Sequence, residues 1–187
     1  MSEPTQEYLR ECFKYEDGKL YWKERPRHHF QLDKTWKWWN SRWSGTEAGG
    51  KPVYKKSSNS YRFQIKVLGK TFSRSRLIFI LINGQIKNGM EIDHVNGIST
   101  DDRIENLREV SRLVNSYNRK LQGNNSSGYN GVCFYKDGRK KPWQCSYYEN
   151  GSRVSKFFET RHEAVSFREQ CDRINPDVTS RHGKRSV

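Results

Sequence analysis

The sequence predicts an α+β chain assembled from small modules. A small β-rich N-terminal region leads into a strand–strand–helix core, and a three-stranded antiparallel sheet packed on one helix follows. Three observations predict this. Hydrophobic residues fill only 33% of the 187 positions, which argues against a single large core. Aromatic residues reach 13%, with six Trp, so modest cores built on rings fit better. Short alternating apolar runs recur along the chain, punctuated by Asp-Gly and Asn-Gly pairs.

Charge narrows the function classes. Lys plus Arg number 35 against 21 Asp plus Glu, a formal net charge of +14. That excess favours a polyanionic partner over an acidic-surface role. Nucleic acid, an anionic membrane and a plain solvated basic face all meet the criterion. The cations are interleaved with Tyr, Trp, Asn and Gln, which favours nucleic acid. No apolar run approaches the length of a bilayer span, and Met1–Arg10 has no signal-peptide pattern. A cytoplasmic protein with no membrane partner is expected. Cys12, Cys133, Cys145 and Cys171 form no Cys-x-x-Cys pair, so a zinc knuckle is not expected. They are read as small, partly buried thiols of a reduced protein.

The elements follow in order. Tyr15 to Trp22 is a hairpin pattern turning at Asp17-Gly18. Trp36 to Trp43 sets four Trp among Lys, Asn and Arg, either as a small aromatic core or as a DNA-facing surface. Gly49-Gly50 and Lys55–Ser60 read as loops. Tyr61 to Val67 alternates as one strand, Gly69-Lys70 turns, and Thr71 to Ser73 returns. Ser75 to Ile82 is apolar enough for a buried helix that Asn83-Gly84 ends. Residues 1–120 form the first domain and 121–128 a linker rich in Gly, Asn and Ser. Residues 129–175 form the second domain. Its strands are Gly131–Tyr135, Trp143–Tyr148 and Arg153–Phe158, with turns at Asp137-Gly138 and Asn150-Gly151. A helix from Thr160 to Ile174 follows, with Thr160 and Glu163 in capping-box spacing. Residues 176–187 are a basic tail.

The chemistry-bearing stretch is Glu91-Ile-Asp-His-Val-Asn-Gly97, then Asp101 to Arg108, then Ser111 to Arg119. Cleaving a phosphodiester needs a nucleophile, charge neutralisation and a stabilised leaving oxygen. Asp93 can hold a hard divalent ion. His94 can take a proton from water. The Asn115 amide oxygen can complete the ligand set from a nearby helix that Ser111 caps, with Asn118 the alternative ligand. Asn96-Gly97 closes one strand and Leu107–Val110 forms its return. Arg74, Arg76, Arg103 and Arg108 can each bind phosphate or pair with a nearby carboxylate.

On these residues the chain resembles the HNH nucleases, whose site is a β-β-α metal motif. Ile92-Asp-His-Val-Asn-Gly97, Asp102-Arg-Ile-Glu-Asn-Leu-Arg108 and Asn115 to Asn118 are similar to the branch found in phage and intron-encoded homing endonucleases. With Tyr15–Trp22, Trp39-Asn40 and Ala48-Gly49, the resemblance spans roughly residues 10–120. It implies His94 as general base, Asp93 and Asn115 as metal ligands, and Asn106 as the residue that orients His94 and fixes the loop. It implies magnesium, with manganese an alternative and zinc not expected, and products ending in 5′-phosphate and 3′-hydroxyl. It also implies double-stranded DNA as substrate, acted on by a monomer or a DNA-induced dimer. One departure stands out: a His-Arg-Leu run common in that branch is Ser75-Arg76-Leu77 here.

Residues 128–172 resemble the DNA-binding domain of plant ethylene-response factors, on Gly128-Tyr-Asn-Gly-Val132, Trp143, Gly151-Ser-Arg-Val154, Phe158 and Glu163-Ala164. The resemblance implies a sheet laid in the major groove. Asn130, Cys133, Tyr135, Ser146, Tyr148, Arg153 and Ser155 would face outward, and Val132, Trp143, Cys145, Tyr147 and Val154 the helix. Lys136, Arg139, Lys140 and Lys141 form a basic loop, for phosphate or simply solvated. The DNA contacts expected are Arg74, Arg76, Asn118, Arg119, Asn130, Tyr135, Arg139, Lys140, Lys141, Tyr148 and Arg153. The rival reading is a DNA-binding regulator with a decayed nuclease module. A third is an RNA-binding protein that stacks bases on its Trp and Tyr surfaces.

Overall fold

Thr5 begins the first helix: its Oγ1 accepts from the Tyr8 backbone N–H at 3.2 Å. The helix, α1 (Gln6–Cys12), buries Leu9 and Cys12 and runs straight into a hairpin of β1 (Phe13–Glu16) and β2 (Lys19–Trp22). Asp17 (φ 42°) and Gly18 (φ 76°) make the turn, the left-handed pair that a tight hairpin needs. In this computed structural model the described residues are 3–56, 60–117, 121, 125–149 and 152–175. The chain divides into two compact units, Met1–Ser111 and Arg112–Val187. That division falls ahead of the boundary expected at residue 120. The mix of helices and small sheets is α+β.

The first unit is organised around α3 (Arg74–Asn83), which ends at Gly84 with φ 91°. Leu77, Ile78 and Ile80 are fully buried and share one core with Leu9, Leu20, Ile65 and Leu107. Two hairpins precede this helix, and both correct the sequence reading. β3 (Val53–Lys55) pairs with β4 (Ser60–Arg62), so the stretch from Lys55 is bounded by strands. β5 (Gln64–Val67) pairs instead with β6 (Lys70–Ser73). The single strand expected over Tyr61–Val67 is therefore broken at Phe63, whose carbonyl accepts from the Arg74 N–H at 3.0 Å. The turn is Leu68-Gly69, both at positive φ, and Lys70 already belongs to β6. β7 (Met90–His94) and β8 (Leu107–Ser111) then pair antiparallel, with Asp93 opposite Arg108 and His94 opposite Leu107.

The Trp-rich stretch forms α2 (Asp33–Trp43), a helix with no buried residue. It resolves the choice between core and surface by splitting it. Trp36 and Trp39 turn inward: the Trp36 indole N–H donates to the Arg25 carbonyl at 2.8 Å, and Trp39 meets Trp22 edge-on at 4.9 Å. Trp38 and Trp43 stay exposed, at 59% and 39%. Arg25 is the anchor. Asn40 bonds its N–H and its carbonyl, both at 3.0 Å, and its guanidinium lies 4.8 Å from Phe30 and 4.9 Å from Trp39.

The second unit opens with α4 (Arg112–Tyr117), directly after β8. Its sheet has the order β11 (Ser152–Phe158), β10 (Trp143–Glu149), β9 (Val132–Phe134), all antiparallel. Across it lies α5 (Arg161–Ile174), opened by a complete capping box between Thr160 and Glu163. Val132, Cys145 and Ala164 form the core, with Trp143, Phe158 and Phe167 packed against it. The alternation follows expectation except at Ser146. That residue lies on the outer face of the register yet is buried, its hydroxyl 3.0 Å from that of Ser155. Cys133 is exposed and Cys12 fully buried, so the thiols are not uniformly half-buried. The Asn150-Gly151 turn and the tail from 176 lie outside the described residues.

Near Arg25, His29 is a titratable group inside this packing. Its side chain is 3% exposed, and its Nε2 lies 2.6 Å from a Glu11 carboxylate oxygen. Burial, seconded by Arg25 and His28 against the pull of Glu11, depresses its pKa below the ordinary value. The unfolded chain therefore takes this proton first as pH falls below about 6.5, and a proton preferred by the unfolded state destabilises the fold. The melting temperature of the first unit, read by Trp fluorescence, is expected to fall between about pH 7.5 and about pH 5.5. A His29→Gln variant is expected to lose that part of the slope; an unchanged slope would exclude His29 as its source.

Candidate active site

The site is built where β7 and β8 meet the loop 95–106. β7 carries Asp93 and His94 side by side, so their side chains leave opposite faces of the ribbon. Asp93 is 8% exposed. Its Oδ2 accepts from Arg108 Nε at 3.1 Å and from Nη2 at 2.9 Å, across the strand pair. This fixes the carboxylate's rotamer and partly neutralises it. Arg108 is thus paired with Asp93, not with Glu105 or Glu109.

His94 is held from the other side. Its Nε2 lies 2.9 Å from Asp102 Oδ1. Asp102 Oδ2 accepts from Arg74 Nε at 2.8 Å, and Arg74 Nη1 donates to Glu47 Oε1 at 2.8 Å. The Arg74 guanidinium also sits 3.5 Å from the Phe63 ring centroid. Arg74 and Asp102 are each 3% exposed. A buried Arg locked between two carboxylates and a ring does not present itself to DNA, which corrects the expectation for Arg74. Arg76 pairs with Glu3, and Arg103 with Asp101 at 2.8 Å, so both cations have carboxylate partners. Arg103 in turn holds the Asp101 carboxyl down at about 2, well under its ordinary value.

Asn106 ties the loop as expected but does not bond His94. It is buried, its Oδ1 accepts from the Asn96 N–H at 2.9 Å, and its Nδ2 donates to Asn96 Oδ1 at 3.0 Å and to the Asp101 carbonyl at 2.7 Å. Its carbonyl accepts from the Val95 N–H at 2.9 Å. These bonds close the loop on itself. The side chain that bonds His94 is Asp102, not Asn106. Sequence reasoning passed over Asp102, although it lies within the quoted motif.

The N-terminal hairpin braces the same loop. Tyr15 Oη accepts from the Ile104 N–H at 3.0 Å. A Cβ at Gly18 would lie 2.9 Å from Arg103 N and 3.1 Å from Asp102 C. An open cleft of about 560 Å³ beside it is lined by Gly18, Glu47, Arg74, Asp102 and Arg103 among others.

Asn115 lies on α4, in the second unit. Asn118 and Arg119 fall outside the described residues. Asp93 and Asn115 offer hard oxygen donors, the chemistry that suits magnesium or manganese. Another group with metal-like spacing is Glu11, His28 and His29. There Arg25 Nε points at His29 Nδ1 from 3.3 Å, so the ring's second nitrogen faces a donor where a metal-ligating His needs an acceptor. The cluster is better described as a Glu receiving two histidines.

In the second unit, Arg139 lies 4.2 Å over the Tyr135 ring and 5.2 Å from that of Phe157, and it pairs with Asp137. With Lys140 and Lys141 it lines an open cleft of about 550 Å³. Tyr135, Tyr148 and Arg153 are exposed and Asn130 half-buried.

Residues 74–117 match the HNH endonuclease family model. The match takes in α3, β7, the loop and β8, and ends on α4. Protein 3.8 of Escherichia phage T7 is 38% identical over 55 residues, 29% of this chain and 46% of that protein. The chain thus spans less than half the length of this curated relative. No solved structure matches. Among the described residues, no helix is long and apolar enough to cross a membrane.

The bracing by Gly18 is testable. Gly18 and Gly45 both have positive φ, but a Cβ at Gly45 meets nothing within 4 Å. Gly45→Ala is expected to cost about 1–2 kcal/mol, the left-handed penalty alone. Gly18→Ala should cost clearly more in chemical denaturation, because backbone of the site loop must move. Equal costs would mean the hairpin does not brace the loop.

Proposed function

We propose that this chain is a divalent-metal-dependent DNA endonuclease in which His94 is the proton acceptor. The part-buried hydrogen bond from His94 to Asp102, inside the segment that matches the HNH endonuclease model, carries the reading. An ionised carboxylate only accepts, so the shared hydrogen sits on His94 Nε2. Nδ1 is then left with the lone pair, and it takes the proton from the attacking water. Asp102 keeps this tautomer and orientation, and Arg74 holds the Asp102 carboxylate in place. Asp93 and Asn115 would hold magnesium or manganese, which supplies charge neutralisation at the phosphate and the leaving oxygen. Arg108 holds Asp93 in its rotamer beforehand.

The substrate is double-stranded DNA, and the products end in 5′-phosphate and 3′-hydroxyl. One chain has one such centre, so each engagement cuts one strand. The phage T7 relative supports a phage-encoded protein, and the homing type is carried over from the family resemblance alone. In the second unit, the ethylene-response-factor-like sheet reads DNA through Asn130, Tyr135, Tyr148 and Arg153. Arg139, Lys140 and Lys141 meet phosphate there, and Asn118 and Arg119 do so beyond α4. Arg76, on α3, meets phosphate by exchanging its Glu3 partner.

The test is cleavage of supercoiled DNA with magnesium, with EDTA, and by variants. His94→Ala is expected to lower kcat by about 10²–10⁴. Asp102→Asn presents an amide where Nε2–H needs an acceptor and should lower kcat by about 10–100-fold, with KM near wild type. Nitrogen NMR of the imidazole should show the Nε2–H tautomer in wild type and its loss in Asp102→Asn. Wild-type protein that binds DNA but cuts none with magnesium or manganese would refute the nuclease and favour the regulator.

A further inference from the structure

The outward face of α2 has no role in the proposed chemistry. Lys34, Trp38 and Arg42 follow one another at helical i, i+4 spacing along it, with Lys37 one turn from Lys34; Trp43 ends the helix on the side of Trp36 and Trp39. All five are exposed, and Leu32 just before the helix is 65% exposed. The Arg42 guanidinium stands 5.9 Å from the Trp38 ring centroid and 5.4 Å from that of Trp43. Lys34, Lys37 and Arg42 have no ion-pair partner among the described residues. The acid on this helix, Asp33, is taken up by Arg27.

We infer that this face of α2 is a second DNA contact of the first unit, gripping duplex backbone away from the cleaved phosphate. The chemistry selects the partner. Three exposed cations on one helix, none with an ion-pair partner among the described residues, suit a polyanion, and the arginine stands beside two rings, a setting that suits phosphate. The two indoles add flat apolar faces beside those cations, suited to the sugar edge of a strand or to a base at a frayed end. Charge complementarity with DNA is the argument for this occupant, and the inference rests on the nuclease reading for DNA as the ligand. The inward half of the Trp cluster gives the surface its stiffness. Trp36, Trp39 and Asn40 tie the helix to Arg25, so the outer row is presented on a fixed element.

The experiment is fluorescence anisotropy with a labelled random-sequence duplex and the full chain, in EDTA so that binding is read without cutting. The variants are Lys34→Gln/Lys37→Gln/Arg42→Gln and Trp38→Ala/Trp43→Ala, each matched to wild type by circular dichroism and melting temperature. The cation variant is expected to bind about tenfold more weakly or worse and to flatten the log K against log salt slope by about 2 to 3, near 0.9 per phosphate lost. The Trp variant should lose affinity with the slope unchanged. Trp38→Ala alone serves if the double variant melts early. Wild-type affinity and slope in the cation variant overturn the inference. So does tighter binding of this face to anionic phosphatidylglycerol vesicles than to duplex, or a Trp38-dependent dimer with DNA binding unaltered. A wild type that binds duplex but never cuts defeats the nuclease and leaves this surface standing. A wild type that cuts, with variants that bind as it does, removes the surface alone.

Discussion

The ion pair between Arg74 and Asp102 is the constraint on which the first unit turns. A cation at the first position of α3 sits against the positive end of the helix dipole, which is unfavourable by itself. Two carboxylates, Asp102 and Glu47, and the face of Phe63 reverse that sign. Because both members of the pair are 3% exposed, removing Arg74 leaves the buried Asp102 carboxylate without its cation, at a cost of about 3–5 kcal/mol, whereas removing Asp102 leaves Arg74 with Glu47 alone. A matched apolar pair could restore the fold. It could not replace the hydrogen bond between His94 and Asp102. Without Arg74, Asp102 would lose the bond that fixes its carboxylate beside His94. One interaction therefore ties α3, the loop and His94 together.

Arg25 solves a similar problem for α2. With only 33% hydrophobic residues, the chain has little aliphatic material to spare for this helix. None of its residues is buried, so burial alone does not hold it. Backbone bonds from Asn40 and Trp36 to Arg25, and rings stacked near its guanidinium, take over. Anchoring through polar bonds is directional. It sets the rotation of the helix, and hence which Trp face inward.

What was legible in the sequence was local. The Asp17-Gly18 turn, the Thr160–Glu163 capping box, the end of α3 at Gly84 and the alternation of β10 depend on a few neighbouring residues, and the sequence spells them out. The Asp93-His94 pair was equally plain. The break at Phe63 was hidden because its cause, the bond from Arg74, lies eleven residues on in the chain and is tertiary. Asp102 was hidden for the same reason. An Asp in a polar loop looks solvated until α3 places a cation beside it. The helix over 33–43 was masked by composition, since four Trp among Lys and Asn give no aliphatic stripe, although Trp36 and Trp39 keep helical spacing.

The arginines stacked on rings fall into two kinds, and carboxylates separate them. Arg74 is buried and doubly paired, so its charge is consumed within the fold. Arg42 is exposed and stacked beside Trp38 and Trp43, with no ion pair among the described residues. Arg139 stands between these cases: it is stacked on Tyr135, exposed, and paired with Asp137 in the same turn. An exposed pair of that kind contributes little, about 0–1 kcal/mol. A phosphate, with more charge and more acceptor oxygens than Asp137, can displace that carboxylate cheaply while the ring still holds the guanidinium in place. Stacking on an aromatic face thus marks where an arginine is fixed. Whether that arginine is available to a ligand depends on the carboxylates around it, and that distribution divides the scaffold of this chain from its basic surfaces.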